Sequence, residues 1–281
     1  MALPADFDLD DFVKRTLAED LGTRGDVTSA ATIAEDARFT AEMNARHPIV
    51  VAGLEVAAAF FRALDGKVQA ELLVNDGDRA ERGATLMRLS GNAREMLAAE
   101  RSALNTLQHL SGVATMTRQY VDAIAGTGAV LLDTRKTIPG LRVLEKFAAR
   151  MGGAQNHRMR LDDGVLIKDN HVAVCGGVAE AVRRAKAANT GLQVQVEVDR
   201  IDQIEPALAA GADRLLLDNM DPAKLREAVA LVAKRVPLEA SGGVTLETIR
   251  FLAETGVDFI SVGRITQSAP AVDIGLDYSL A

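Results

Sequence analysis

From about residue 116 onward, short apolar runs alternate with longer amphipathic stretches, and this rhythm constrains the chain more than any other feature. The runs fall at 130–132, 165–167, 194–198, 215–217, 238–240 and 259–262. Between them, apolar residues recur at helical spacing over 178–188, 201–210, 222–232 and 246–255. Short buried strands separated by amphipathic helices are the pattern of successive βα units on a parallel sheet, and such units can curl into a barrel. Six strands are legible, so the reading is an incomplete α/β barrel rather than one closed by eight.

The preceding residues follow a different pattern. Residues 7–18 carry Phe7, Leu9, Phe12, Val13 and Leu17 at helical spacing and stop before Gly22. Strands are expected at 39–43, 49–51, 68–74 and 85–89, with turns at Asn75-Asp76-Gly77-Asp78 and Glu81-Arg82-Gly83 between them. A long helix is expected over 92–110. The expected organisation is an open α/β sandwich domain over 1–115 and a barrel domain over 116–269. A tail, 270–281, is expected to return to the first domain.

Composition narrows the function. The net charge of -7 argues against an electrostatic binder of nucleic acid or membrane, so any local cluster of cations stands out against the global sign. One cysteine, Cys175, excludes an intrachain disulfide and a cysteine-based metal site. The acidic N-terminus lacks an apolar signal core and no apolar run is long enough to span a bilayer. A cytoplasmic location is expected.

In β/α barrels the loops that follow the strands converge on the active site. Here each strand is followed by chemistry. Asp133-Thr134-Arg135-Lys136-Thr137 follows the first, and Lys168-Asp169-Asn170-His171 the second. Glu197, Asp218 and Ser241-Gly242-Gly243 end the next three, and Val262-Gly263-Arg264 closes the series. An isolated basic pair is usually a solvated loop, but Arg135 and Lys136 stand directly after a strand. A lysine closing an apolar strand needs a partner or a ligand, and Lys168 is read that way. Glu197 and Asp218 end neighbouring strands and are expected to converge, as Mg²⁺ ligands or as salt-bridge partners of the cations. His157 and Arg158 follow Gly152-Gly153 in a segment without apolar periodicity. The glycine loops offer backbone N–H groups to a phosphate. The residues alone thus point to a phosphate-bearing substrate, an anionic co-substrate and a metal.

Five strings carry a resemblance: EDLGTRGDVTS (19–29), ERSALNTLQHLSGVAT (100–115), DTRKTIPGLR (133–142), GGAQNHRMRLDDGVLIKDNH (152–171) and SVGRITQSAPAVDIGLDY (261–278). They are similar to the quinolinate phosphoribosyltransferase family over nearly the whole chain. The resemblance implies an N-terminal α/β sandwich, an incomplete C-terminal barrel, and a homodimer or higher oligomer. It implies transfer of phosphoribosyl from phosphoribosyl pyrophosphate to quinolinate with loss of CO₂, giving nicotinate mononucleotide and pyrophosphate for NAD synthesis. Carried over by motif, Arg135, His157, Arg158 and Lys168 hold the quinolinate carboxylates, with Arg101 arriving from a partner subunit. Lys136 meets phosphoribosyl pyrophosphate, and Thr134 belongs to the same segment. Glu197 and Asp218 stand near the ribose hydroxyls and Mg²⁺, directly or through substrate or water. Ser241, Gly242, Gly243, Val262, Gly263 and Arg264 line the 5′-phosphate. Two positions depart from the family pattern: Gln267 replaces a common His, and Arg160 stands where Gly is frequent. Arg264 is expected to replace the cation lost at Gln267.

Three other readings compete. A related protein of molybdenum gene clusters shares the DTRKT-like segment but differs in the LIKDNH segment, and here Lys168 is intact. A Schiff-base aldolase would use Lys168 as its amine. The turn at Asp76-Gly77-Asp78 resembles that of lipoyl or biotinyl carriers, but it has no Lys at its tip.

Overall fold

The computed structural model describes residues 3–4 and 7–279 and divides the chain into two compact units. One comprises 1–117, 143–153 and 268–281; the other comprises 118–142 and 154–267.

In the first unit, α1 (Leu9–Leu21) starts where the Asp8 carboxylate accepts the Asp11 N–H, and it buries Phe12, Val13 and Leu17 on one face. α2 (Val27–Thr32) is capped in the same way by Asp26. β1 (Arg38–Ala45) alternates, with Ala41, Met43 and Ala45 inside. After β2 (Ile49–Val50) comes α3 (Leu54–Leu64), whose Phe60 meets Phe12 edge-on at 6.1 Å. β3 (Gln69–Leu72), β4 (Arg79–Ala80) and β5 (Thr85–Asn92) follow. The turn between β3 and β4 is structural, because Asp76 accepts the backbone N–H groups of Gly53 and Leu54 at 2.8 and 3.1 Å and so starts α3. α4 (Ala93–Ala123) is longer than the expected helix.

The second unit is built on a parallel sheet. Its strands are β6 (Val130–Leu132), β7 (Val165–Ile167), β8 (Val194–Val198), β9 (Arg214–Asp218), β10 (Leu238–Ser241) and β11 (Phe259–Ser261). They pair in the order β6-β11-β10-β9-β8-β7, an incomplete barrel with β6 and β7 at its edges. Gln155 extends the β6 edge through a parallel bridge to Leu132. α5 (Arg142–Met151) intervenes between β6 and β7, and most of it belongs to the first unit. α6 (Asp169–Cys175), α7 (Val178–Ala187), α8 (Ile204–Ala209), α9 (Pro222–Val232), α10 (Ile249–Ala253) and α11 (Arg264–Gln267) complete the βα alternation. The last described element is β12 (Ile274–Ser279), antiparallel to β1 in the four-stranded sheet β12-β1-β5-β3. Arg46 clamps it there with a two-pronged bond to Asp277, at 3.0 and 2.7 Å. The first unit is thus an α/β sandwich that takes in both ends of the described chain.

The barrel strands obey a strict parity. Val194, Val196, Val198, Leu215, Leu217, Leu238, Ala240 and Ile260 are all buried apolar residues. The residues between them line two cavities: Glu197, Leu216, Asp218, Ser241 and Ser261 one, Gln195, Arg214 and Phe259 the other. Successive side chains of a strand point to opposite faces, so one face packs and the other carries the polar groups. None of the described helices is long and apolar enough to cross a membrane.

Candidate active site

The larger cavity, about 700 Å³, opens at the C-terminal ends of the barrel strands. Of the residues singled out in the sequence, the structure brings Thr134, Arg135, Lys136, His157, Arg158, Lys168, Glu197 and Asp218 to its walls. Both late loops, Ser241-Gly242-Gly243 and Val262-Gly263-Arg264, line it too, as does Gln267. Arg101 is not among the lining residues; it is exposed on α4, in the first unit.

Asp133, wholly buried at the end of β6, ties two of these segments together. Its carboxylate accepts the His157 backbone N–H at 2.8 Å and the Asn156 side-chain amide. The loop that follows is held at both sides. Thr134 Oγ1 accepts the Lys136 N–H at 3.0 Å, while the Thr266 hydroxyl donates to the Lys136 carbonyl at 2.6 Å. Arg142 reaches from the start of α5 to Thr137 Oγ1 at 3.2 Å and the Met159 carbonyl at 3.4 Å.

The cations are electrostatically strained. Arg158 donates to the Gly164 carbonyl at 2.9 Å, yet burial, and then the neighbouring charge of Arg135, lower its pKa. Two half-buried guanidiniums side by side make a place where an added anion is worth more than at an exposed surface. Lys168, read as paired or ligand-facing, lines the cavity and has an acidic neighbour. Its side chain is 52% exposed, and Nζ stands 3.8 Å from Glu197 Oε2.

Glu197 and Asp218 converge as expected. Burial first, then the charge of Asp218, raises Glu197, while Lys168 pulls it down. Burial also raises Asp218, against the Asn219 amide hydrogen bond at 2.6 Å and the charges of Lys168 and Lys136. Sequence reasoning passed over Asn219. It adopts a left-handed backbone (φ 54) and presses its side chain against Gly242, where a Cβ would meet Asn219 Oδ1 at 2.1 Å. With φ +97 as well, Gly242 is required for this approach of β9 and β10 loops. Glu239 was also missed, since it sits inside an apolar run; it lines the cavity from mid-strand. A charged residue at an inward position of a buried strand was the available signal.

Among the described residues no group of three or more His, Cys, Asp and Glu side chains could hold a metal. The acidic pair alone remains. Mg²⁺ is ordinarily held by one or two carboxylates together with substrate phosphates, and a pair whose ionisation is opposed by burial and mutual repulsion fits that arrangement.

The family model "Quinolinate phosphoribosyl transferase, N-terminal domain" matches residues 26–111, and "Quinolinate phosphoribosyl transferase, C-terminal domain" matches 113–277. The chain is 43% identical over 272 residues to nicotinate-nucleotide pyrophosphorylase [carboxylating] of Mycobacterium leprae, covering 95% of this chain and 96% of that one. It is 40% identical to quinolinate phosphoribosyltransferase [decarboxylating] 2b of Nicotiana tabacum, covering 96% and 82%. Among solved structures, nicotinate-nucleotide pyrophosphorylase of Francisella tularensis superposes with a TM-score of 0.93 at 40% identity, covering 99% of this chain and 100% of that one.

Proposed function

The chain belongs to the quinolinate phosphoribosyltransferase family, a decarboxylating pentosyltransferase of NAD synthesis, and we propose that its barrel cavity is where the transfer takes place. The observation that carries this assignment is that the half-buried guanidiniums Arg135 and Arg158 share one cavity with the glycine-bearing loops Ser241–Gly243 and Val262–Arg264. Quinolinate brings two planar carboxylates, which the forked donors of arginine suit. Arg135 and Arg158 hold them, with His157 and Lys168 completing the cationic wall.

At the other end, the Ser241–Gly243 and Val262–Arg264 loops receive the 5′-phosphate of phosphoribosyl pyrophosphate through the N–H groups of Gly242, Gly243, Gly263 and Arg264. Glu197 and Asp218 face the ribose hydroxyls and would hold Mg²⁺ with the pyrophosphate oxygens. Bound there, Mg²⁺ supplies charge neutralisation for the leaving pyrophosphate. Lys136 adds its own ammonium on that group, while the two carboxylates favour the positive charge that develops at the anomeric carbon.

The quinolinate nitrogen forms its bond to that carbon as the bond to pyrophosphate breaks. The ring nitrogen becomes positive, so the electron pair left at the adjacent carbon by departing CO₂ is stabilised before it takes up a proton. The protein needs no covalent nucleophile; its part is positioning, which contributes on the order of 7–11 kcal/mol in well-oriented systems. A half-exposed Lys168 beside Glu197 lacks the desolvated setting of a Schiff-base lysine. The molybdenum-cluster alternative finds no support in the comparisons. Incubation with quinolinate, phosphoribosyl pyrophosphate and Mg²⁺ tests the assignment: nicotinate mononucleotide is expected, and its absence would sink it.

Arg264, exposed at the cavity wall beside Gln267, supplies the cation for the phosphate end. Arg264→Ala is expected to raise the KM for phosphoribosyl pyrophosphate about tenfold, and an unchanged KM would remove that role. Arg101 reaches quinolinate from a second copy of the chain. Arg101→Ala and Lys168→Ala, each inactive alone, should then recover activity when mixed as dimers, and no recovery would count against a shared site.

A further inference from the structure

We propose that Glu239, buried under the cavity, is the positioning residue that orients His157 and thereby shapes the quinolinate end of the site. The inference rests on the reading that His157 holds a quinolinate carboxylate.

Glu239 stands in the middle of β10 with 0% exposure. An isolated carboxylate at such a position is costly unless donors surround it. Three groups converge on its Oε2: Gln195 Nε2 donates a hydrogen bond at 2.8 Å, Arg214 Nη2 forms an ion pair at 2.8 Å, and His157 Nε2 stands 3.4 Å away. The first two come from the inward positions of β8 and β9, and Arg214 is fixed in turn by stacking 3.9 Å over the Phe259 ring. Burial pushes Glu239 up, but the approach of His157, with Arg214 and Gln195, outweighs it and holds the carboxyl below its usual range. Glu239 is therefore a fixed negative charge beneath the cavity.

His157 is held at both ring nitrogens. Nδ1 accepts the Arg158 backbone N–H at 2.7 Å, and Nε2 faces Glu239. In a neutral ring this arrangement places the proton on Nε2, because the partner of one nitrogen decides the state of the other. The same contact links the ring to the backbone of Arg158, so the orientation of two quinolinate ligands depends on one buried carboxylate. A purely structural duty is a poor explanation for it. A buried ion pair is commonly no more stabilising than well-packed apolar residues of similar volume. Glu239 also cannot bind the substrate itself, since it would repel a dianion; it acts through the histidine.

The test is a double-mutant cycle on the full-length protein with quinolinate and phosphoribosyl pyrophosphate. Glu239→Gln should raise the KM for quinolinate roughly tenfold or more, as loss of the partner of a ligating histidine does elsewhere. The KM for phosphoribosyl pyrophosphate should stay within about twofold. In a His157→Ala background the added loss should shrink to about twofold or less, because the path through His157 is already gone. Losses that multiply in the double variant, or equal rises in both KM values, would overturn the role. Should Glu239→Gln fail to fold, Gln195→Leu takes its place: it keeps the charge but frees the carboxylate, and quinolinate KM should rise about threefold. An unchanged KM there would likewise overturn it. A wild-type chain that makes no product would sink the assignment of the cavity and this inference with it. An active wild type with multiplying losses would sink this inference alone.

Discussion

Lys136→Met is expected to lower kcat/KM for phosphoribosyl pyrophosphate by about 10²–10³-fold while leaving the fold intact, the size of effect seen when one preorganised stabiliser of developing charge is removed. The surroundings of Lys136 explain why the loss should be confined to its ammonium. Its backbone N–H is held by Thr134 and its carbonyl by the Thr266 hydroxyl, so the loop keeps its course when the side chain changes. The side chain runs past Gly263, where a Cβ would come within 2.8 Å of Lys136 Cδ. That close passage directs the ammonium along the wall that also carries Asp218, whose carboxyl feels the Lys136 charge. Methionine keeps the stem and its packing but removes the charge. Steady-state kinetics against both substrates, with the melting temperature as the control, reads the result. A loss under about fivefold would show that pyrophosphate departs without help from this residue.

Glu197→Gln and Asp218→Asn are expected to raise the melting temperature at pH 7 and to lower kcat by roughly 100-fold. Burial and mutual repulsion raise the pKa of Glu197, and burial raises that of Asp218. The folded chain therefore keeps these protons to higher pH than the unfolded chain does. Between the unfolded and folded values the folded state binds more protons, so stability falls as pH rises through that window. Ionisation of either group opposes folding of the empty site; below the ordinary carboxylate range that cost is gone. The neutral amide variants should therefore be more stable than wild type at pH 7, and their advantage should shrink as pH falls through the raised values. Thermal melts across pH measure this. Variants less stable than wild type at pH 7 would mean that the pair is structural, and unaltered kcat would remove it from the chemistry.

Much of the barrel was legible because its strands repeat one arrangement. The run 222–232 becomes α9 over the same residues, since the Asp221 carboxylate accepts the Ala223 and Lys224 N–H groups and Pro222 occupies its first turn. Strand β8 is likewise found where its valines predict it. Helices of the first unit were harder to see. In α3, Leu54, Val56, Ala57, Ala58, Phe60 and Phe61 are all buried, and only Glu55 and Arg62, paired at 2.8 Å, mark its thin polar stripe. In α5, Glu145 and Lys146 are wholly buried, and charges that read as a solvated face conceal a core helix. His109 offsets one of them with a contact to Glu145 at 2.8 Å.

The same limit applied at the site. Charged residues at strand ends announce themselves because they interrupt apolar runs where loops converge. Glu239, Gln195 and Arg214 were hidden because each lies within or at the start of such a run, and only pairing across β8, β9 and β10 brings them together. Asn219 was hidden for another reason. Its part depends on a left-handed backbone and on a glycine in the next loop, neither of which leaves a periodic trace.

The most direct test of the whole account is the fate of the quinolinate carboxyl group next to the ring nitrogen. With that carbon labelled, the protein should release labelled CO₂ and pyrophosphate in equal amounts, and no CO₂ when phosphoribosyl pyrophosphate is withheld. That result would mean that decarboxylation waits for the ring nitrogen to become positive in the cavity. Labelled CO₂ released without phosphoribosyl pyrophosphate, or pyrophosphate released while the label stays on the ring, would contradict it.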